Sequence, residues 1–217
     1  VGAHSHSDSF SYRPIGKYDF EEFIDMAIRF HNYPAPGLLV GGYMVEEAKR
    51  QIPRGVLYEA IAETGWCLPD AVQMLTPCTI GNGWLRVVHH GVYGLVLYDK
   101  FTGEGIRVWL DIAKFPKDSE IRTWYLKLRP KIEQDSDRLR HEIGMLGSDI
   151  LSSGPVKVRK QHLGKRSKGR IVICPGCGEA YPAKDGNVCK ICQGNTLYEP
   201  MPGMPKGGFL TGSHPEA

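Results

Sequence analysis

Two pairs of cysteines carry the clearest chemistry in the chain. Cys174-Pro175-Gly176-Cys177-Gly178 is followed, with eleven residues between Cys177 and Cys189, by Cys189-Lys190-Ile191-Cys192-Gln193-Gly194. Two thiolates three positions apart can bend round one ion, and a glycine after the pair permits the tight turn that aims backbone amides at sulfur. Four thiolates from two such knuckles give tetrahedral coordination, which suits zinc. A rubredoxin-like iron centre or an unfilled dithiol pair are the alternative occupants. A site saturated by cysteine keeps no position for water, so its role is structural, one zinc per chain. Ile171 to Ile173 lead into the first knuckle as a strand and Leu197-Tyr198 leave the second likewise. That order predicts a zinc ribbon over 171–199. A secreted disulfide scaffold would spread its cysteines, whereas paired Cys-x-x-Cys units point to metal and a reducing, cytoplasmic setting.

The other two cysteines, Cys67 and Cys78, stand alone. Cys67 precedes Pro69 at the expected start of a helix, where unpaired amides and the helix dipole lower a thiol pKa. Cys78 falls at that helix's exit, His31 at the end of an earlier helix, Asp70 nearby, and Asn82 in the glycine loop Thr79-Ile80-Gly81-Asn82-Gly83. If these five converge, they form a pocket for a second transition metal or a cofactor. The competing reading makes Cys67 and Cys78 small buried apolar residues and His31 a satisfied helix-end histidine. His89 and His90, adjacent on an expected strand, would point to opposite faces. His4 and His6 share a face only on an extended terminus. Gly81-Asn82-Gly83 lacks the lysine of a P-loop and reads as a turn. Trp66, Trp84, Trp109 and Trp124 read as core or dimer interface rather than a ligand cage.

These residues need a scaffold. The 217 residues are 41% hydrophobic and 24% charged, ordinary globular usage that excludes disordered, collagenous and coiled-coil classes. No apolar run approaches the ~20 residues of a membrane span, and no secretory signal is visible. Residues 1–151 carry 17 Lys/Arg against 20 Asp/Glu, residues 152–217 carry 10 against 4. A mildly acidic body therefore bears a basic tail, and an acidic protein surface or nucleic acid is a possible partner through 156–198. Few aromatics interleave with these basic residues, as base stacking would require.

Periodicity predicts a polar tail over 1–18, a helix from Phe20 to about His31 capped by Asp19, and a second from Gly37 to Gln51 behind Pro36. Strands are predicted at 56–63, 84–89, 93–98 and 105–110, and helices at 69–75, 121–128 and 135–151. The mixture is α+β: a mixed helix and antiparallel-sheet core over 19–151, a basic linker over 152–170, the ribbon, and a Pro/Gly-rich end over 200–217.

The stretch from Glu63-Thr64-Gly65-Trp66-Cys67-Leu68-Pro69-Asp70-Ala71 to Cys78-Thr79-Ile80-Gly81-Asn82-Gly83, followed by Phe101-Thr102-Gly103-Glu104-Gly105-Ile106-Arg107-Val108, resembles the FmdE family over about residues 19–151. That family is named for one component of formylmethanofuran dehydrogenase. Some members also carry a C-terminal zinc ribbon. The resemblance implies an α+β core forming an intertwined homodimer, and an accessory, binding or regulatory role tied to metal or redox-cofactor metabolism, since the redox chemistry of the namesake complex resides in its other components. An enzyme using the core Cys/His site and a nucleic-acid-binding regulator are the alternatives. The family's first signature runs His-Gly-His-x-Cys-Pro-Gly. Here it reads His31-Asn32-Tyr33-Pro34-Ala35-Pro36-Gly37, so Tyr33 and Ala35 replace a histidine and a cysteine.

Overall fold

The computed structural model describes residues 11–164 and 167–199. The chain divides into two compact units, 1–164 and 165–217.

The first unit is built on α-helices and a five-stranded sheet. Helix α1 (Phe20–His31) starts on a reciprocal capping box. The Asp19 carboxylate accepts from Glu22 N–H at 2.8 Å, and the Glu22 carboxylate accepts from Asp19 N–H at 2.9 Å. It stops at Asn32, which turns left-handed at φ 72°. Helix α2 (Pro36–Gln51) places Pro36 in its first turn, where a missing N–H costs nothing. From Gly37 to Val45 every residue of α2 is buried, because the helix runs through the middle of the unit against α1, α3 (Leu68–Leu75), α5 (Ser136–Leu146) and the sheet. Gly41 sets the α2–α3 spacing: a methyl group there would lie 2.8 Å from the Ala71 Cβ.

The sheet order is β2-β1-β3-β4-β5, with β1 (Tyr58–Ala62), β2 (Leu85–Val87), β3 (Gly94–Asp99), β4 (Glu104–Leu110) and β5 (Leu151–Lys157). Only β1 and β2 run parallel. Along β4, Ile106, Val108 and Leu110 enter the core and the intervening residues face the other way, as a half-buried strand requires. Leu95 and Leu97 of β3 meet Leu38, Leu39 and Met44 of α2 in the same core. The short helix α4 (Glu120–Leu126) and α5 close one end. No helix among the described residues is long and apolar enough to cross a membrane.

Three expectations about the first unit need correction. The tail does not reach residue 18: Ile15 is fully buried, and Ile15 and Tyr18 exchange backbone hydrogen bonds. One isolated apolar residue among polar ones carries no periodicity to announce it. The helix expected to reach 151 ends at Leu146, because Gly147 leaves helical geometry at φ 53°. The basic linker expected from 152 begins inside β5, which pairs with β4 from Glu104↔Lys157 to Leu110↔Leu151. Ser152-Ser153-Gly154-Pro155 reads as a boundary, yet an edge strand tolerates a proline.

In the second unit, β6 (Ile171–Ile173) and β7 (Ala180–Pro182) form a hairpin round the first cysteine pair. Leu197 and Tyr198 form a bend rather than the expected strand, and β7 is the partner of β6 instead. His4, His6, Lys165, Arg166 and residues 200–217 lie outside the described residues.

Candidate functional site

The four paired cysteines converge. Cys174 Sγ lies 3.8 Å from Cys192 Sγ, and Cys177 Sγ lies 3.6 Å from Cys189 Sγ. All four ligand atoms fall within 4.8 Å of one another. A tetrahedron with metal–sulfur bonds of ~2.3 Å has edges of about 3.8 Å, so the sulfur cage fits zinc. Backbone amides support it: Cys189 N–H donates to Cys174 Sγ at 3.3 Å, and Cys192 N–H to Cys189 Sγ at 3.5 Å. The Cys189 amide is the main reason the Cys174 thiol pKa falls to about 6, which favours the thiolate form a metal needs. Burial and the neighbouring thiols push Cys192 the opposite way, the penalty a bound cation removes. Tyr181, Val172, Val188 and Ile191 are the apolar residues packed round the sulfurs, a core too small to hold a fold alone.

The expected core cluster assembles in part. The end of α1 and the first turn of α3 bring His31 Nδ1 to 2.6 Å from Asp70 Oδ2. Cys67 stands immediately before α3 and feels the Asp70 charge. Cys78 and Asn82 do not join them. Cys78 is fully buried and its thiol donates to the Tyr58 carbonyl at 3.6 Å; burial raises it to about 11. The Asn82 side chain is spent inside its own loop, accepting from Thr79 N–H and Trp84 N–H and donating to the Pro77 carbonyl. Among the described residues, the paired cysteines are the one group of three or more His, Cys, Asp or Glu gathered as a metal cage would be.

Cys67 also departs from its expected ionisation. Its pKa is raised, first by burial and then by Asp70, and these outweigh a hydrogen bond from the Leu38 backbone and the Lys131 charge. At neutral pH it is a thiol. Its backbone is unusual: φ 51°, ψ −42°, at the centre of a γ-turn closed by Leu68 N–H on the Trp66 carbonyl. A non-glycine residue there stores strain of about 1–3 kcal/mol. The turn throws Trp66 outward, 80% exposed.

Trp66 and Cys67 form one edge of a cleft of about 800 Å³ whose other walls include His89, Tyr93, Trp124 and Tyr125. Tyr93 O–H donates to the Gly37 carbonyl at 2.6 Å, tying the β2–β3 connection to the start of α2. Position 37 must be glycine for this approach, since a methyl group there would meet Tyr93 Oη at 2.7 Å and Cys67 Cβ at 3.1 Å. A second cavity of about 710 Å³ adjoins the first, sharing Gly37, Trp66, Cys67, Trp124 and Lys127. The sequence offered no sign of this cleft. Trp66 and Trp124, expected in core or interface, line it, and His89 reaches it from a loop beyond β2 rather than from a strand. The one available signal was Trp66-Cys67 ahead of Pro69, which marks a turn but not what the turn faces.

Known proteins bear on both units. A crystal structure of a tungsten formylmethanofuran dehydrogenase FmdE-like protein from Syntrophus aciditrophicus superposes with a TM-score of 0.80 at 52% identity, over 87% of this chain and 100% of that one. A probable S-adenosyl-L-methionine-binding protein of Archaeoglobus fulgidus is 27% identical over 192 residues, 78% of this chain. The chain spans about half, 52%, of that curated relative's length. Residues 165–199, which contain the zinc ribbon expected over 171–199, match a family model described as the FmdE treble clef zinc finger. Residues 30–158, more than half of the chain, match the model described as FmdE, molybdenum formylmethanofuran dehydrogenase operon, and on that ground the protein belongs to the FmdE family.

Proposed function

We propose that this protein is a non-catalytic binding protein that serves metal or redox-cofactor metabolism, taking a small planar ligand in the Trp66–Trp124 cleft. The observation that carries the reading is the cleft itself: about 800 Å³, the size of a small-molecule site, with aromatic rings on several sides. A Trp as exposed as Trp66 at the mouth of a cavity is apolar surface that a ligand would cover. The groups that could do chemistry are subdued. Cys67 is a protonated thiol, and His31 is engaged by Asp70. The four-cysteine finger supports this reading only as a structural module.

The Archaeoglobus relative's description makes S-adenosylmethionine the first ligand to try. Its adenine would stack on indole, and its sulfonium is a cation suited to an aromatic face. Isothermal titration of the full chain with S-adenosylmethionine is expected to show saturable binding, weakened about tenfold by Trp66→Ala, within the ~1–3 kcal/mol of one stacked base. Absence of saturable binding at millimolar ligand would sink this choice of ligand, and unchanged affinity in the variant would move the site elsewhere.

The reading includes a homodimer. Ile132 is 93% exposed, and Leu128 and Tyr33 are exposed as well. A second copy covering such residues would gain roughly 25 cal/mol per Å². Light scattering is expected to give twice the chain mass at micromolar concentration; a monomer contradicts it.

A further inference from the structure

The second cavity differs in character from the first. It lies between the start of α2 and the α4–α5 connection, and its walls carry Lys127, Lys131 and Arg140 with no carboxylate among them. Lys127 and Lys131 form no ion pair among the described residues; Lys131 Nζ stands 5.9 Å from the centre of the Tyr33 ring. Arg140 has one acid, Asp137, at a long 3.8 Å and on the exposed side of α5. Gln134 and Ser136 add neutral donors to the same walls. Lys127 occupies the left-handed position that ends α4, at φ 52° and ψ 43°, where glycine or asparagine would fit with less strain. Lys127 and Lys131, with no counter-charge among the described residues, and Arg140, whose one acid Asp137 is exposed, repel one another until an anion enters.

We propose that this cavity is an anion subsite continuous with the aromatic cleft, so that the ligand is a planar heteroaromatic molecule bearing a carboxylate or phosphate. Trp66, Trp124 and Lys127 line both cavities, so one molecule can place its ring in the first and its anionic end in the second. Lysine and arginine hold such a group by charge-assisted hydrogen bonds, which are about twice as strong as neutral ones. The inference rests on the aromatic cleft being a ligand site.

Adenosine and AMP differ by the phosphate alone, and S-adenosylmethionine and its decarboxylated analogue by the carboxylate alone. Titrated into the full chain at low salt, AMP is expected to bind at least tenfold more tightly than adenosine, or S-adenosylmethionine than its analogue. Whichever pair shows the difference names the anion. The double variant Lys127→Gln/Lys131→Gln, both exposed positions whose replacement spares the core, is expected to reduce the ratio below threefold. Equal binding within each pair overturns the subsite but leaves the aromatic cleft standing. So does a tenfold preference that survives the double variant yet falls with Trp66→Ala. If none of the four probes binds, the cleft reading has failed and this inference fails with it.

Discussion

Cys177→Ser is expected to release the metal of the C-terminal finger and unfold 167–199 while leaving the first unit folded. The effect is large because the metal supplies nearly all the folding free energy available there. Structural zinc contributes on the order of 10–16 kcal/mol in small modules of this kind, whereas the finger's apolar residues round the cysteines are few. Serine offers a poor ligand where thiolate is needed, and three remaining sulfurs leave an open position that water or a chelator can enter. Elemental analysis should give one zinc per chain before the change and none after it. Far-UV circular dichroism should retain the melting transition of the five-stranded unit, which forms a separate compact body. Unchanged zinc content in the variant would remove the assignment of Cys174, Cys177, Cys189 and Cys192 as ligands.

That site was legible because its geometry is local: two Cys-x-x-Cys knuckles fix their own turns, and only the meeting of the two pairs depends on tertiary structure. Helices α1 and α2 were legible for the same reason, through Asp19 at one start and Pro36 at the other. The core site was legible only in halves. Sequence placed His31, Cys67 and Asp70 at helix ends, and the fold joins His31 to Asp70. Nothing local distinguishes Cys78, which points to Tyr58, from Cys67, which faces a cleft. The ionisation of Cys67 turned on a contest that spacing does not display. A helix start favours thiolate, but burial and the Asp70 charge in the first turn oppose it more strongly. The cleft was not legible at all, since its walls come from segments far apart in sequence. Edge strand β5 was hidden by Ser-Ser-Gly-Pro, a composition that describes loops on average and edge strands on occasion.

Arg107→Met is expected to destabilise the first unit by about 3 kcal/mol, the low end for breaking a buried ion pair. Glu63 is only 8% exposed and accepts three hydrogen bonds from Arg107, from Nε at 3.0 Å and 3.2 Å to its two oxygens and from Nη2 at 2.6 Å. These bonds raise the Arg107 pKa further, so the guanidinium is charged at any pH the fold survives. Methionine fills much of the arginine stem's volume and removes the charge, leaving a carboxylate that has no room to turn towards water. A methyl group at Gly94 would lie 2.1 Å from Glu63 Oε2, which shows how closely backbone encloses it. Glu63 also anchors the cleft. It follows β1, its N–H donates to the Gly94 carbonyl at 2.9 Å, and its own carbonyl accepts from His90 N–H at 3.1 Å. Both the Thr64–Trp66 turn and the loop carrying His89 and Tyr93 hang from this residue. Thermal unfolding should therefore show a fall in Tm of roughly 6–12 °C for a unit of this size. Adding Glu63→Gln should recover part of the loss, because the buried group is then neutral. A shift below about 1 kcal/mol would place the pair among exposed salt bridges and deny it any part in holding the cleft.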